Sequence, residues 1–330
     1  MYHSILVPLD GSPLSEQALP VACELACRSR ATLRLVHVHV PVTATPIHID
    51  GMPVVDENLQ SLGKAHAHAY LDRIRDRLGT QVFPIAVAVL DTSDPDAHEP
   101  TVPATLAAHA ATSGTDLIVM TTRGRGGLAR LWLGSVAAAL VLASPVPVLS
   151  LRPGEPVSPA EHSHVFRRIL IPLDGSARAE AILEPALALG DLAGAEYTLL
   201  QVVEPFGLAG YAPHAHAIRL NAQVTQEGHA AAQHYLNDLA ERLRAGGRKV
   251  HTRTRLAERP ADAILAVARE EGSDVIALAT HGRSGLTRLV VGSVADKVRR
   301  GAEMPVLLYR PQAPDESTGR CRAAAVALPA

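Results

Sequence analysis

The sequence has few aromatic residues, few cysteines, no long apolar run and almost no excess charge. Only 3% of its 330 residues are Phe, Trp or Tyr, so its core has to be built from Val, Leu, Ile and Ala. No apolar run reaches the roughly 18 residues that a transmembrane helix requires. The 31 basic and 33 acidic residues leave a formal charge of −2, which gives no general attraction for nucleic acid or an anionic membrane. We therefore expect a protein that binds neither of them.

The three cysteines cannot all pair with one another. Cys23 and Cys27 stand four residues apart in a helical pattern, and Cys321 belongs to the C-terminal tail. We interpret the first two as small apolar helix residues rather than a redox pair. This indicates a reduced, cytoplasmic protein, with one disulfide left open as an alternative. The first residues, MYHSILVP, lack a charged segment before a long apolar run and are typical of a strand rather than of a signal peptide.

The chain contains the same unit twice. The segment 5–12, ILVPLDGS, recurs at 169–176 as ILIPLDGS, and the segment 124–135, GRGGLARLWLGS, recurs at 282–293 as GRSGLTRLVVGS. A unit of this length is a domain rather than a solenoid repeat, and about 150 residues per domain also predicts two. We predict domains at 1–151 and 167–310, a proline-rich linker at 152–166 and a mobile tail at 311–330.

Each half alternates short apolar runs with helical patterns. Ser12 followed by Pro13 is typical of a helix N-cap and first helical position. Five strands that alternate with helices indicate an α/β domain with a largely parallel, Rossmann-like doubly wound sheet. The predicted strands cover 4–9, 32–40, 82–89, 116–120 and 146–151 in the first half and 168–173, 197–203, 249–256, 274–279 and 306–309 in the second.

The residues suited to ligand binding follow the first and fourth strands of each half. Asp10 and Asp174 end the first strands, and a glycine-containing loop follows the fourth. Ligands of doubly wound sheets bind outside the carboxyl ends of the strands, and glycines let the backbone approach a phosphate closely. A Gly-Ser helix start adds backbone N–H groups and the positive end of the helix dipole. Either motif alone also fits a turn or a helix cap, but their repetition in register favours a phosphate-containing ligand.

The repeated motifs resemble those of the universal stress protein family, in a tandem form with two such domains in one chain. ILVPLDGS is similar to the first strand and loop of that family, and the segments 124–136 and 280–294 are similar to its signature loop. The resemblance extends over nearly the whole chain outside the linker and the tail. It implies five-stranded sheets ordered 3-2-1-4-5, pairing through the fifth strand and, in one branch of the family, ATP binding.

In that branch the signature loop has a glycine, two residues, a second glycine, nine residues, and then glycine followed by Ser or Thr. Both halves match this pattern except at the first glycine, where Thr121 and Ala279 stand. The resemblance also implies that an aspartate lies beside the ribose and any Mg²⁺, and that a valine lines the adenine. The residues it assigns to the nucleotide are Asp10, Val38, Gly124, Gly134 and Ser135 in the first half and Asp174, Val202, Gly282, Gly292 and Ser293 in the second.

The sequence shows no motif for fast catalysis or for a metal centre. It has no Walker A sequence, no Gly-x-Ser-x-Gly elbow and no HExxH. Among its 16 histidines, His37 and His39 share one strand face, but we interpret the histidines as solvated or core residues. We therefore predict no catalytic residue and no metal ligand from the protein.

Three functions fit these sequence features. The first is a stress-response binding or regulatory module that takes up ATP or a related adenine nucleotide. The second is an interaction protein that has lost nucleotide binding, which Thr121 and Ala279 suggest, and the third is a slow ATPase. The valine- and leucine-rich fifth strands at 146–149 and 304–308 would be a liability as exposed edges, so we expect them to pair within one chain. Homodimerisation, the regulatory partner and the stress signal stay open.

Overall fold

The computed structural model describes residues 2–40, 48–49, 52–53, 57–92, 101–122, 135–152, 166–205, 215–280 and 293–311. Within them, each half forms a five-stranded parallel sheet with helices on both faces. The first half contains, in chain order, β1 (Ser4–Pro8), α1 (Pro13–Glu16), α2 (Leu19–Ser29), β2 (Thr32–His39), β3 (His48–Ile49), β4 (Met52–Pro53), α3 (Glu57–Leu78), β5 (Ile85–Asp91), α4 (Val102–Thr112), β6 (Leu117–Thr121), α5 (Ser135–Ala143) and β7 (Val148–Leu151).

The second half repeats this order, without the short β3–β4 hairpin among its described residues. Residues 153–165 of the predicted linker and 312–330 of the predicted tail lie outside the described part of the chain. The elements are β8 (Arg168–Pro172), α6 (Ala177–Glu180), α7 (Leu183–Asp191), β9 (Glu196–Val203), α8 (Ala215–Ala245), β10 (Lys249–Leu256), α9 (Pro260–Glu270), β11 (Val275–Ala279), α10 (Ser293–Gly301) and β12 (Val306–Tyr309).

The two sheets join into one sheet of ten strands. Its order is β10-β9-β8-β11-β12-β7-β6-β1-β2-β5, so each half has the arrangement 3-2-1-4-5 when its five parallel strands are counted along the chain. The fifth strands, β7 and β12, pair antiparallel, with Leu149 opposite Leu307. These observations confirm the predicted α/β fold, its strand order and the pairing of the two halves through their fifth strands.

Each face of the sheet carries an apolar layer. Along β2, Leu33 and Leu35 belong to the layer packed against α2 and α3, whereas Val36 belongs to the layer packed against α4 and α5. Strand alternation explains the division, since successive side chains point to opposite faces. Each layer continues across the junction between the halves. Tyr2 strengthens the contact on the first face, because its hydroxyl donates a hydrogen bond to the Pro185 carbonyl at 3.0 Å.

Several predicted element boundaries in the first half are wrong. The third strand covers Ile85–Asp91 rather than 82–89, because Pro84 has no N–H for the ladder and Val82 is 80% exposed. The fifth strand begins at Val148 rather than at residue 146. The first predicted helix divides into α1 and α2 at a turn formed by residues 17–18. The second half makes the same turn at residues 181–182 with Glu184 in the place of Pro20, so that proline does not explain the division.

A helix that crosses a membrane has to be both long and apolar. None of the described helices combines these two properties.

Candidate functional site

The candidate site of each half lies at the carboxyl edge of its parallel strands. In the first half, Asp10 follows β1, Val38 is the penultimate residue of β2, and Thr121 ends β6. Strand β1 pairs with β2 on one side and with β6 on the other. The strand order reverses at this point, which is where doubly wound sheets bind ligands. In the second half, Asp174, Val202 and Ala279 take the same positions on β8, β9 and β11.

Each aspartate forms a compact turn with the serine two residues later. Asp10 Oδ1 accepts hydrogen bonds from the N–H and hydroxyl of Ser12 at 2.9 and 2.6 Å, and Asp174 Oδ1 accepts the same two bonds from Ser176 at the same distances. The intervening Gly11 has a φ of 81°, in the left-handed region where a side chain is strained. The turn therefore fixes the position of each carboxylate at the edge of the sheet.

The same serines begin the next helices. Ser12 Oγ accepts the Ser15 N–H at 3.2 Å, and Ser176 Oγ accepts the Ala179 N–H at 3.1 Å. These bonds confirm the predicted N-cap at Ser12. In both halves the serine of Asp-Gly-Ser thus caps the helix that follows. It is compatible with ligand binding, because a carboxylate held by two local donors is already oriented when a ligand arrives.

Thr121 and Ala279 stand at the end of the fourth strand, where the family's loop has its first glycine, and their side chains pack inside the fold. Leu117 and Val119 belong to the apolar layer beneath α2 and α3, so alternation directs the Thr121 side chain to that face. Thr121 is 5% exposed. Ala279 packs on the same face of the second half. Both Cβ atoms thus point into the helix layer, on the side opposite to α4 and α5 or their counterparts.

Thr280, directly after β11, has a buried hydroxyl with unused hydrogen-bonding capacity. The residue is fully buried, and its N–H donates to the Tyr309 carbonyl at 2.8 Å. Its Oγ1 has no hydrogen-bond partner among the described residues. Buried polar atoms are almost always paired, so an unpartnered hydroxyl at the carboxyl edge is a candidate ligand contact.

Val38 and Val202 occupy equivalent positions in the two halves, but the residues opposite them on the adjacent strands differ. Both are half-buried and pack on the apolar layer of α4 and α9, respectively. Val38 lies opposite Leu90 of β5, whereas Val202 lies opposite Arg255 of β10. A ligand ring at these valines would therefore meet an apolar neighbouring strand in the first half and a charged one in the second.

The structure describes only the last part of the predicted loop. Ser135 and Ser293 are the first residues of α5 and α10, as predicted, and Ser293 is exposed. In α10 the first turn also contains Asp296, which pairs with the buried Arg299 at 2.8 Å. This ion pair reduces the repulsion that the carboxylate would exert on an anion at the helix start. The four predicted glycines lie outside the described residues: Gly124, Gly134, Gly282 and Gly292.

A tyrosine–glutamate contact next to each aspartate turn was not predicted. The Tyr70 hydroxyl donates to Glu16 at 3.1 Å, and the Tyr235 hydroxyl donates to Glu180 at 2.9 Å. Burial, and then the neighbouring glutamate, raise the pKa of both hydroxyls, so they stay protonated donors at neutral pH. A signal was present in the sequence, because these four residues recur when the two halves are aligned.

The remaining histidines and cysteines do not form a metal or redox centre in the described structure. His37 Nδ1 contacts the Leu9 carbonyl at 2.8 Å, and His39 is buried. The described residues contain no group of three or more His, Cys, Asp or Glu side chains that could hold a metal ion. Cys23 and Cys27 are free thiols, and burial raises the pKa of Cys23 to about 11, with a smaller contribution from Cys27. Cys321 lies outside the described residues.

Comparison with known proteins supports the resemblance seen in the motifs. The model of the universal stress protein family matches residues 1–152 and again residues 166–310. A universal stress protein of Mycolicibacterium smegmatis is 26% identical over 339 residues, which cover 94% of this chain and 98% of that protein. One from Methanocaldococcus jannaschii is 28% identical over 147 residues, covering 44% of this chain and 84% of the relative.

Solved structures show the same architecture over the full length. A universal stress protein from Archaeoglobus fulgidus superposes with a TM-score of 0.65 at 18% identity, over 94% of this chain and 98% of the other. A protein of unknown function from Pseudomonas aeruginosa has a TM-score of 0.62 at 17% identity, over 94% and 93% of the two chains. These likenesses concern the fold. Together with the two family-model matches, they establish that the chain belongs to the universal stress protein family, with two such domains in tandem.

Proposed function

We propose that this chain binds ATP or a related adenine nucleotide at the carboxyl edge of each half and acts as a cytoplasmic, stress-responsive binding module. The observation that carries the proposal is the Asp-Gly-Ser turn, repeated with the same bonds and distances beside the point where the strand order reverses. Each turn presents a carboxylate where a ribose or a magnesium ion would lie. The cytoplasmic location rests on the free thiols of Cys23 and Cys27.

The described side chains fit such a ligand. In the second half the buried Thr280 hydroxyl has no partner among the described residues, and it can donate to a phosphate or ribose oxygen. Ser293 begins α10, whose first N–H groups have no partner within the helix. Bound nucleotide would supply the negative phosphates that these donors satisfy. Asp174 would hold the ribose hydroxyls or Mg²⁺, and Val202 would contact the adenine.

The replaced glycines do not argue against nucleotide binding. The Cβ atoms of Thr121 and Ala279 point into the helix layer, so neither projects towards α5 or α10. We therefore expect neither replacement to obstruct the phosphates.

The test is calorimetric titration of the full chain with ATP, with and without Mg²⁺, together with mass spectrometry of molecules released from the purified protein. Gly134→Asp and Gly292→Asp place a carboxylate in the proposed loop of one half at a time, and should each remove one binding event. Val82→Ala, an exposed position before β5, the outermost strand of the first half, is the control and should leave titration unchanged. No heat from millimolar ATP and no released nucleotide would contradict the proposal.

Two alternatives predict different results. If the chain is an interaction protein that has lost nucleotide binding because of Thr121 and Ala279, glycine at both positions should create an affinity that the native chain lacks. If it is a slow ATPase, phosphate release should exceed that of the Gly134→Asp/Gly292→Asp double variant. We favour binding without fast turnover, because the described carboxyl edges show an acidic residue already engaged by its serine rather than a free general base.

A further inference from the structure

Tyr70 connects the long helix of the first half to the turn that contains Asp10. Its hydroxyl donates to Glu16 Oε1 at 3.1 Å, and Arg77 donates to the other oxygen of Glu16 at 2.6 Å. Glu16 is the last residue of α1, a helix of only four residues. Such a short helix gains little stability from its own hydrogen bonds, so contacts from α3 hold it in place.

The connection continues from α1 to the aspartate itself. The backbone N–H of Asp10 donates to Ser15 Oγ at 3.3 Å, and the Ser15 hydroxyl donates to the Ser12 carbonyl at 2.9 Å. Ser15 and Glu16 are consecutive residues of α1, and the Glu16 N–H donates to the Ser12 carbonyl at 3.4 Å. The helix that Tyr70 holds through Glu16 therefore contains the serine that accepts the Asp10 N–H.

The second half provides a natural comparison. Tyr235 donates to Glu180 at 2.9 Å, and Arg242 lies 3.8 Å from the same carboxylate. However, Ala179 stands where the first half has Ser15, so the second half lacks the hydroxyl that accepts the aspartate N–H. Among the bonds of the described residues, the contact of Tyr235 with the turn thus runs through Glu180 alone.

We propose that Tyr70 is a positioning residue of the first half, which orients Asp10 towards the ribose diol of a bound adenine nucleotide through Ser15 and Glu16. The proposal rests on the proposed function, and it goes further by distinguishing the two halves. Loss of the hydroxyl leaves Glu16 held by Arg77 alone, so α1 and the Asp10 turn attached to it through Ser15 become less rigidly oriented. Loss of the Tyr70 hydroxyl should therefore weaken the contact of Asp10 with the ribose hydroxyls. It should not affect contacts with the phosphates, which would lie at α5.

The experiment compares ATP with 2′,3′-dideoxy-ATP, which lacks the ribose diol, by calorimetric titration of the full chain. In the Gly292→Asp background only the first half binds. There, Tyr70→Phe should weaken ATP binding about tenfold, as the loss of a charge-assisted contact does, and leave dideoxy-ATP binding unchanged. Ser15→Ala should give the same selective loss of ATP binding. When Tyr70→Phe is added to Ser15→Ala, the further loss should be less than half of the loss that Tyr70→Phe causes alone. The matched control is Tyr235→Phe in the Gly134→Asp background, where only the second half binds. This substitution should change the ratio of the affinities for ATP and dideoxy-ATP by less than threefold.

The outcomes separate this inference from the proposed function. An equal loss for ATP and dideoxy-ATP would show that Tyr70 has a general structural role and would overturn the inference alone. Unchanged binding of both nucleotides would overturn it as well. Failure of the unmodified chain to bind either nucleotide would overturn the proposed function and the inference together. Hydrogen exchange of the Asp10 and Ser15 amides supplies a second readout, and it should accelerate in Tyr70→Phe without nucleotide.

Discussion

Two glycines at equivalent places in the long helices should respond in opposite ways to alanine. Gly63 lies in α3 and Gly228 in α8, and each faces the last residue of the second strand of its half, which is His39 in the first and Val203 in the second. A Cβ on Gly63 would lie 2.5 Å from His39 Cε1, whereas a Cβ on Gly228 would lie 3.7 Å from Val203 Cγ1. The first distance requires a movement, and the second is an ordinary contact.

The magnitudes follow from two opposing effects. Alanine stabilises a helix interior by about 1 kcal/mol relative to glycine, so Gly228→Ala should raise the free energy of unfolding by about that amount. Gly63→Ala gains the same term but has to displace the buried His39 ring, and overpacking of this kind costs about 1–3 kcal/mol. We expect a net loss of about 1 kcal/mol for Gly63→Ala, and hence a difference of about 2 kcal/mol between the two variants.

Urea unfolding followed by far-ultraviolet circular dichroism measures the difference. A third variant, His39→Ala, removes the ring, and in that background Gly63→Ala should become stabilising, as Gly228→Ala is. The double-mutant cycle isolates the contact from other effects of losing His39. Equal shifts of the unfolding midpoint for Gly63→Ala and Gly228→Ala would refute the reasoning, because helix propensity alone would then explain both.

Three further predictions concern the junction, a thiol and the site turn. Leu307→Glu places a charge in the buried centre of the junction, so it should lower the free energy of unfolding by more than about 3 kcal/mol in the same urea assay. In a Cys321→Ser background at pH 8, Cys27 should react with a thiol reagent at least about ten times faster than Cys23. The reason is that the Cys23 pKa of about 11 leaves roughly a thousandth of this side chain as thiolate. Equal rates would contradict the burial of Cys23. Gly175→Ala meets only Gln201 Nε2 at 3.8 Å, so its cost of about 1 kcal/mol should come from the φ of 82° alone, and an unchanged midpoint would refute this.

Most of the fold was predictable because its signals are local and repeated. The apolar runs placed every strand of the main sheet, and β10 and β12 agree with their predicted residues at both ends. The strand order followed from the family resemblance, since periodicity alone does not order strands, and the β7–β12 pairing followed both from the resemblance and from the apolar residues of the two edge strands. Of the errors, the late start of β5 is explained by Pro84, whereas the turn between α1 and α2 had no signal in the helical pattern.

The candidate site was predictable only in outline. The Asp-Gly-Ser motif indicated both a cap and a ligand site, and the structure shows the cap at Ser12 and Ser176. The unpartnered hydroxyl of Thr280 could not be inferred, because the sequence gives no information on which buried atoms lack partners. The contact of Tyr70 with Glu16 joins residues far apart in the chain, and the only signal for it in the sequence is that both residues recur in the second half as Tyr235 and Glu180.

The antiparallel junction determines how the two sites can be used. Because β7 and β12 run in opposite directions, all parallel strands of the second half run opposite to those of the first. The carboxyl edges, and with them Asp10 and Asp174, therefore lie at opposite edges of the ten-stranded sheet. A partner that binds at one carboxyl edge therefore approaches the sheet from the side opposite to the other carboxyl edge. The halves also differ beside the proposed adenine contact, where Leu90 lies opposite Val38 and Arg255 lies opposite Val202. If each half binds a nucleotide as proposed, the two sites face opposite ways, and the response of a partner at one edge should follow the occupancy of that half rather than the sum of both.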